Sequence, residues 1–553
     1  MTTLTSNAPR GAQTQSAGSR GTALTGTGTL IRFILRRDRI KLPAWILGIA
    51  LLSMYYGAAL PQIYKTDEDL RAVSQFAEGT MGALIAGPGY GLTSPTVESV
   101  IVAIYGLYFL LLAALMNILL ISRHTRVEEQ TGRAELIRAN VVGRHAQLTA
   151  ALIVAVGANI ALSLLIAGGF AAADLDTGGA LLFGASVGAV GLVFAGITAV
   201  TVQITEYSRA ASGLAGAALG VAYVVRAAGD TIREGGSALS WFSPLAWSQQ
   251  TRAYADPRWS PLALSVAFAV AAALLGYALS GRRDLNAGLV APRRGSRYAA
   301  PWLNSPVALA FRLQRASFIG WGLALAAMGA LYGALTKTLV DSFEDLPDNV
   351  IDIMGGDPTR MLDGYVSTMG VFDALLVVVF VILGVQSLHG EETKGRAEPV
   401  LATGTGRWAL FGSWIGMLAA GVTALLVIVG LALGLSTAIS VGDSSYVGKV
   451  LGAHLAYLPA ILVVLAVAAL LFGVIPRAIG ATWALFGFSM ILGFFGPIMD
   501  LPQWVMNLSP FEHIAALPLD RMTWSPLFAL TVIALALTAL GGYGFRRRDL
   551  DMK

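Results

Sequence analysis

Residues 100–135 read VIVAIYGLYFLLLAALMNILLI followed directly by SRHTRVEEQTGRAE. The first 22 positions carry no charge, and as a helix rising 1.5 Å per residue they span the roughly 30 Å hydrocarbon of a bilayer. The next fourteen hold three arginines and three glutamates. A helix apolar on every side must be buried in protein or in lipid, and the composition of the whole chain decides for lipid. Of 553 residues, 55% are apolar and 13% charged, against about 25% charged in soluble domains. Similar apolar segments recur near 43–61, 148–170, 180–204, 211–228, 261–280, 317–336, 369–388, 409–438, 449–474, 478–497 and 525–545. With 100–121 they predict an all-α polytopic membrane protein of twelve transmembrane helices. Residues 1–28, rich in Thr, Ser, Gly and Gln, lack the apolar core of a signal peptide and read as a disordered tail.

The polar stretch recurs. Glu-Glu-Gln-Thr-Gly-Arg-Ala-Glu at 128–135 returns as Glu-Glu-Thr-Lys-Gly-Arg-Ala-Glu at 391–398, 263 residues on. Gly143-Arg144 returns as Gly406-Arg407 at the same offset. Trp-Ser-Pro-Leu (259–262) and Arg-Arg-Asp-Leu (282–285) return 265 residues on, at 524–527 and 547–550. Ordered matches at a nearly constant offset mark a duplication, with halves 29–290 and 291–553. Six spans per half make it a parallel repeat related by an axis along the membrane normal. Such a repeat builds either a symmetric bundle alone or two halves around a central path.

An even span number puts both termini on one side. That side collects 28 of the 38 lysines and arginines but 11 of the 33 carboxylates, leaving +17 there and −12 opposite. Lys and Arg stay cytoplasmic, so both termini are expected in the cytoplasm. The basic residues are not interleaved with aromatics on one solvated surface, so no nucleic-acid partner is expected.

Basic amphipathic segments, Leu30–Lys41 and Val307–Arg315, precede the first and seventh spans. With six spans per half, an acidic segment after each first span and the repeated Glu-Glu-x-x-Gly-Arg-x-Glu loops, the chain resembles the permease of type-2 ABC exporters. The likeness is to the fused double-length form assigned to export of polyketide antibiotics, and it covers the chain from about residue 29. The resemblance implies a prokaryotic plasma-membrane exporter of hydrophobic or amphipathic compounds, not itself an enzyme, surrounded by membrane lipid. It implies interfacial elbow helices, and two copies of an ABC ATPase that bind ATP and Mg, this chain needing no cofactor of its own. Glu128, Glu129, Gly132, Arg133 and Glu135 would then couple to one ATPase copy, and Glu391, Glu392, Gly395, Arg396 and Glu398 to the other. Pro399 follows the second motif alone and is expected to stop or cap a helix there. From the residues themselves, either a docking surface with charge complementarity or a set of solvated anchors accounts for these loops. Acidic residues add little to topology, so their recurrence favours docking.

There is no cysteine, which excludes disulfides, zinc–thiolate sites and cysteine nucleophiles. No phosphate-binding Gly-x-x-x-x-Gly-Lys-Ser/Thr occurs, so ATP hydrolysis would belong to a partner. The five histidines form no metal-spaced pair. A twelve-span proton-coupled antiporter is the alternative. It needs ionisable groups within the membrane, and Arg226, Asp373 and His454 lie near enough to span ends to reach the headgroups. Candidates for the path are Tyr55, Tyr56, Tyr105, Tyr108, Phe109, Met116 and Asn117, then Phe372, Asp373, Phe380 and Gln386, since aromatic and Met surfaces adapt to bulky cargo. Each also suits ordinary packing, and an amide such as Asn117 wants a partner that another helix can supply. The long acidic segments 62–99 and 337–368 predict short helices over 67–77 and 345–354.

Overall fold

The computed structural model describes residues 23–78, 82–83, 86–138, 142–233, 235–284, 286–291, 295–337, 358–499 and 502–550. Two compact units, Met1–Gly295 and Ser296–Lys553, divide the chain. Every regular element among the described residues is helical, and eleven helices are long and apolar enough to cross a membrane. Each overlaps one predicted segment, and the remaining segment is an 18-residue helix, Thr482–Met499.

In the first half, α1 is Thr27–Arg37, α2 Lys41–Ile63, α3 Asp67–Glu78 and α4 Val97–Gln130. Then follow α5 Arg133–Arg138, α6 Ala146–Ala171, α7 Thr177–Ile204, α8 Ser208–Ile232, α9 Pro244–Gln249 and α10 Ser260–Ser280. The hub is α7, packed against α4, α6 and α10. Glycines let it approach so closely. A Cβ at Gly184 would strike the Ser163 carbonyl of α6, and one at Gly276 of α10 would lie 2.9 Å from the Ala199 carbonyl. Close backbones gain dispersion in lipid, where no hydrophobic force drives helices together. Phe109, Phe170, Phe183 and Phe194 fill the remaining core.

In the second half, α11 is Pro306–Ala334, α12 Pro358–Thr393, α13 Ala397–Leu401 and α14 Arg407–Val441. It closes with α15 Ser445–Val474, α16 Thr482–Met499 and α17 Trp524–Arg547. The plan repeats: α15 packs on α14 and α17 as α7 packs on α6 and α10.

Two expectations change, and a third is met in the first half. Within the expected tail 1–28, residues 1–22 lie outside the described residues, but Ala23 and Thr25 accept hydrogen bonds from the His145 and Gly143 amides. The first elbow is a separate helix, α1, with Leu30 and Ile34 buried. The second is the opening of α11, unbroken into the span. Asp38 stands at the break, 2.6 Å from His124 Nε2 and 3.1 Å from Arg123, whereas the second elbow, Val307–Arg315, contains no acid. Finally, helix α3 covers the predicted run 67–77. Its counterpart 345–354 lies outside the described residues.

Candidate functional site: a charged clasp in each half

Two glutamates end the second span of each half, and a glycine turns the chain after them. Gly132 and Gly395 have φ of 72° and 69°, a left-handed conformation costly for any residue with a Cβ. Their amides donate to the Glu129 and Glu392 carbonyls at 3.0 and 2.9 Å. The turn releases a short helix, α5 or α13. Pro399 neither stops nor caps α13, because in a first turn the missing N–H has no partner to lose.

The turn aims its second glutamate inward. Glu129 accepts from Arg126 at 2.8 Å and from Arg283 at 2.6 and 2.8 Å. Glu392 accepts from Arg548 at 2.5 and 2.7 Å. Arg283 and Arg548 are the second arginines of the repeated Arg-Arg-Asp-Leu, so two separately repeated motifs meet in each half. These arginines reach the end of the fourth span: Arg126 donates to Val202 O at 3.0 Å, Arg283 to Gln203 Oε1 at 2.6 Å and Arg548 to Phe472 O at 3.2 Å. Carbonyls in a last helical turn lack helical partners and carry partial negative charge. A third motif joins them. Arg144 donates to Gly281 O at 2.7 Å, just past the sixth span, and Arg407 to Phe545 O at 3.2 Å, in the last turn of its sixth span. At the basic end of each half the loop is thus fastened to the fourth and sixth spans.

The first glutamates differ. Glu128 pairs with Arg37 of α1 and, at 3.6 Å, with Arg133. Glu391 pairs with Arg396 of its own loop, at 2.6 Å through Nε, and that hydrogen bond raises the Arg396 pKa above its ordinary value. The ten predicted coupling residues therefore divide. Glu128, Glu129 and Glu392 are buried in pairs within their half, while Arg133, Glu135, Arg396 and Glu398 are exposed, and Gly132, Gly395 and Glu391 lie between. Arg37, Arg126, Arg283 and Arg548 were missed by reading the sequence. For Arg283 and Arg548 the available signal was the repeated Arg-Arg-Asp-Leu beside a repeated Glu-Glu; Arg37 and Arg126 have no such recurrence.

The predicted path residues scatter. Tyr55 and Tyr108 are exposed on the first half, whereas Phe109 and Met116 are buried. Tyr105 ends a π-helical turn, Ile101–Tyr105, stacks on Tyr56 at 4.7 Å and shares a hydrogen bond with Tyr64. Asn117 has its partner in a neighbouring helix: it and Asn159 of α6 exchange hydrogen bonds of 3.0 and 2.8 Å. Phe372 meets Tyr332 edge to face, Phe380 packs in the core, and Gln386 is half-buried. Gly184-Ala-Ser-Val-Gly188 has the spacing of a nucleophile elbow, but it lies within α7, where the Ser186 hydroxyl donates to Phe183 O at 2.8 Å.

The expected snorkelling groups are instead buried and paired. Asp373 accepts from or donates to His454 Nε2 at 3.0 Å, and its other oxygen has no hydrogen-bond partner among the described residues. Arg226 sits 3.6 Å from Asp230 and donates to Ala83 O at 3.0 Å. Partners within reach offset part of the desolvation cost that burial imposes on each group.

The family model for the C-terminal domain of the multidrug efflux system permease Rv1217c matches residues 28–281 and again 303–546. The multidrug efflux system permease protein Rv1217c of Mycobacterium tuberculosis (strain ATCC 25618 / H37Rv) is 36% identical over 544 residues, covering 97% of each chain. Matching the first half and the second separately, the family model follows the same duplication that the paired clasps display. The chain belongs to the Rv1217c family of multidrug efflux permeases.

Proposed function

We propose that this chain is the membrane permease of an ATP-driven exporter of hydrophobic or amphipathic compounds, powered by two copies of an ABC ATPase docked at its basic, cytoplasmic end. The observation that carries the reading is the paired clasp. Each loop is bonded to the ends of its fourth and sixth spans, so a force on the loop moves helices rather than a slack connection. The exposed Arg133, Glu135, Arg396 and Glu398 would face the ATPase, and the buried glutamates would transmit. The chain contains no P-loop, which suits a separate motor carrying ATP and Mg.

The test is co-purification with the ATPase, followed by transport in vesicles. Reversing Glu135 and Glu398 to Lys should lower ATP-driven transport at least tenfold while leaving the melting temperature unchanged, since both side chains are exposed. Transport by the chain alone down a proton gradient would overturn the proposal.

The buried Asp373–His454 pair supports a second reading, a proton-coupled antiporter, because titratable groups inside a membrane are costly and kept for function. Under that reading Asp373→Asn abolishes gradient-driven transport. Under the first it leaves ATP-driven transport in place.

A further inference from the structure

At the basic end of the first half, a cavity of about 630 Å³ opens between α1, α2, α4 and α8. Its rim carries Arg37, Lys41, Arg123 and Arg209, against a single acid, Asp38. Asp38 is already taken by His124 and Arg123, and Arg37 by Glu128. Lys41 and Arg209 are exposed and make no ion pair among the described residues, and Arg123 Nε is buried without a hydrogen-bond partner. The floor is apolar, with Trp45, Met116 and Leu119. Sharing Lys41 and Trp45, a second cavity of about 380 Å³ continues past Gly48, Ile49 and Leu112. A cationic mouth at the membrane boundary leading into an apolar groove has the two-part character of an anionic amphiphile.

We infer that this pocket binds an anionic phospholipid of the adjoining leaflet, its phosphate among Lys41, Arg123 and Arg209 and one acyl chain along Trp45, Gly48 and Leu112. Charge complementarity selects the headgroup. Cations near a membrane surface attract anionic lipid, and basic pockets between spanning helices hold such headgroups. The two cavities together suit a headgroup with part of a chain. In the second half no cation stands between Arg315 and Trp321, where the first half has Lys41 ahead of Trp45. The lipid would sit beside the Arg37–Glu128 pair, where its presence bears on the first clasp and not the second. The inference is independent of what powers transport.

The test uses the full chain in nanodiscs of mixed phosphatidylglycerol and phosphatidylcholine, with bound lipid counted by native mass spectrometry. The unaltered protein should retain phosphatidylglycerol and not phosphatidylcholine. Replacing Lys41 and Arg209 by Gln should lower that retention at least tenfold, the loss expected for two surface cations. Both side chains are exposed, so folding should persist. Gly48→Leu tests the tail separately. Nothing lies within 4 Å of a Cβ there, so the new side chain enters the groove and should displace the lipid with the cations intact. Equal retention by all three proteins, or retention of phosphatidylcholine by the unaltered one, would overturn the inference. So would displacement of the lipid by inorganic phosphate alone, which would make this a free-anion site, or by an equimolar acidic drug-like amphiphile, which would make it a cargo site.

Discussion

Glu129 and Glu392 hold the same place in their halves, yet their arginines should not be equally costly to lose. When Arg283 is replaced by Gln, Glu129 keeps Arg126, fully buried and bonded to it at 2.8 Å. The residue matching Arg126 in the second half is His389, whose ring lies edge-on to Phe472. Arg548 also packs over the Phe472 and Phe545 rings, 5.2 and 5.1 Å from their centroids. Breaking a buried ion pair costs about 3–5 kcal/mol when a charge is left poorly compensated, whereas removing one of several bonds to a charged group costs about 1.5–3 kcal/mol. Arg548→Gln should therefore lower the melting temperature of the purified chain more than Arg283→Gln does. Equal shifts would mean that the two halves share the load in a way the pairing does not reveal.

At the scale of elements, the hinge of each clasp is its glycine. No atom stands within 4 Å of a Cβ built on Gly132 or Gly395, so Ala at either place meets no steric clash and pays only for the left-handed backbone. That cost is about 1–2 kcal/mol. Gly395→Ala should loosen the second loop, read as faster amide hydrogen exchange over 391–401, and Gly395→Asn should loosen it less because Asn tolerates this conformation. The spans themselves were legible in the sequence because an unbroken apolar run of the right length admits few other structures in water or lipid. The glycine's place was visible too, though not its reason. What composition could not reveal was partnership. Asn117 reaches Asn159, Glu129 reaches Arg283 and Asp373 reaches His454 across 42, 154 and 81 residues of chain. Each pair depends on which helices become neighbours. For that reason Asp373 and His454 read individually as interfacial groups, and only packing made them a buried pair.

For the whole molecule, the strongest sequence signal is the charge difference between its two ends. Read over twelve spans, the net +5 resolves into an expected +17 on one side and −12 on the other, and the clasps lie at the basic ends of their halves. Neutralisation within them is partial: Arg37, Arg126, Arg283 and Arg548 are spent on glutamates, yet most of the remaining lysines and arginines at that end meet no acid in the described structure. Translocating them would carry the desolvation cost of each cation, so the basic end should face the cytoplasm. The chain contains no cysteine, which makes the orientation directly measurable without removing native thiols. Thr403→Cys places a thiol in the exposed loop after α13, and Ser444→Cys places one in the exposed turn before α15. In intact cells a membrane-impermeant maleimide should label the Ser444 variant and leave the Thr403 variant unreacted until the membrane is opened. The reverse pattern would put the clasps outside the cell, beyond the reach of any cytoplasmic ATPase, and would remove the proposed coupling along with the orientation.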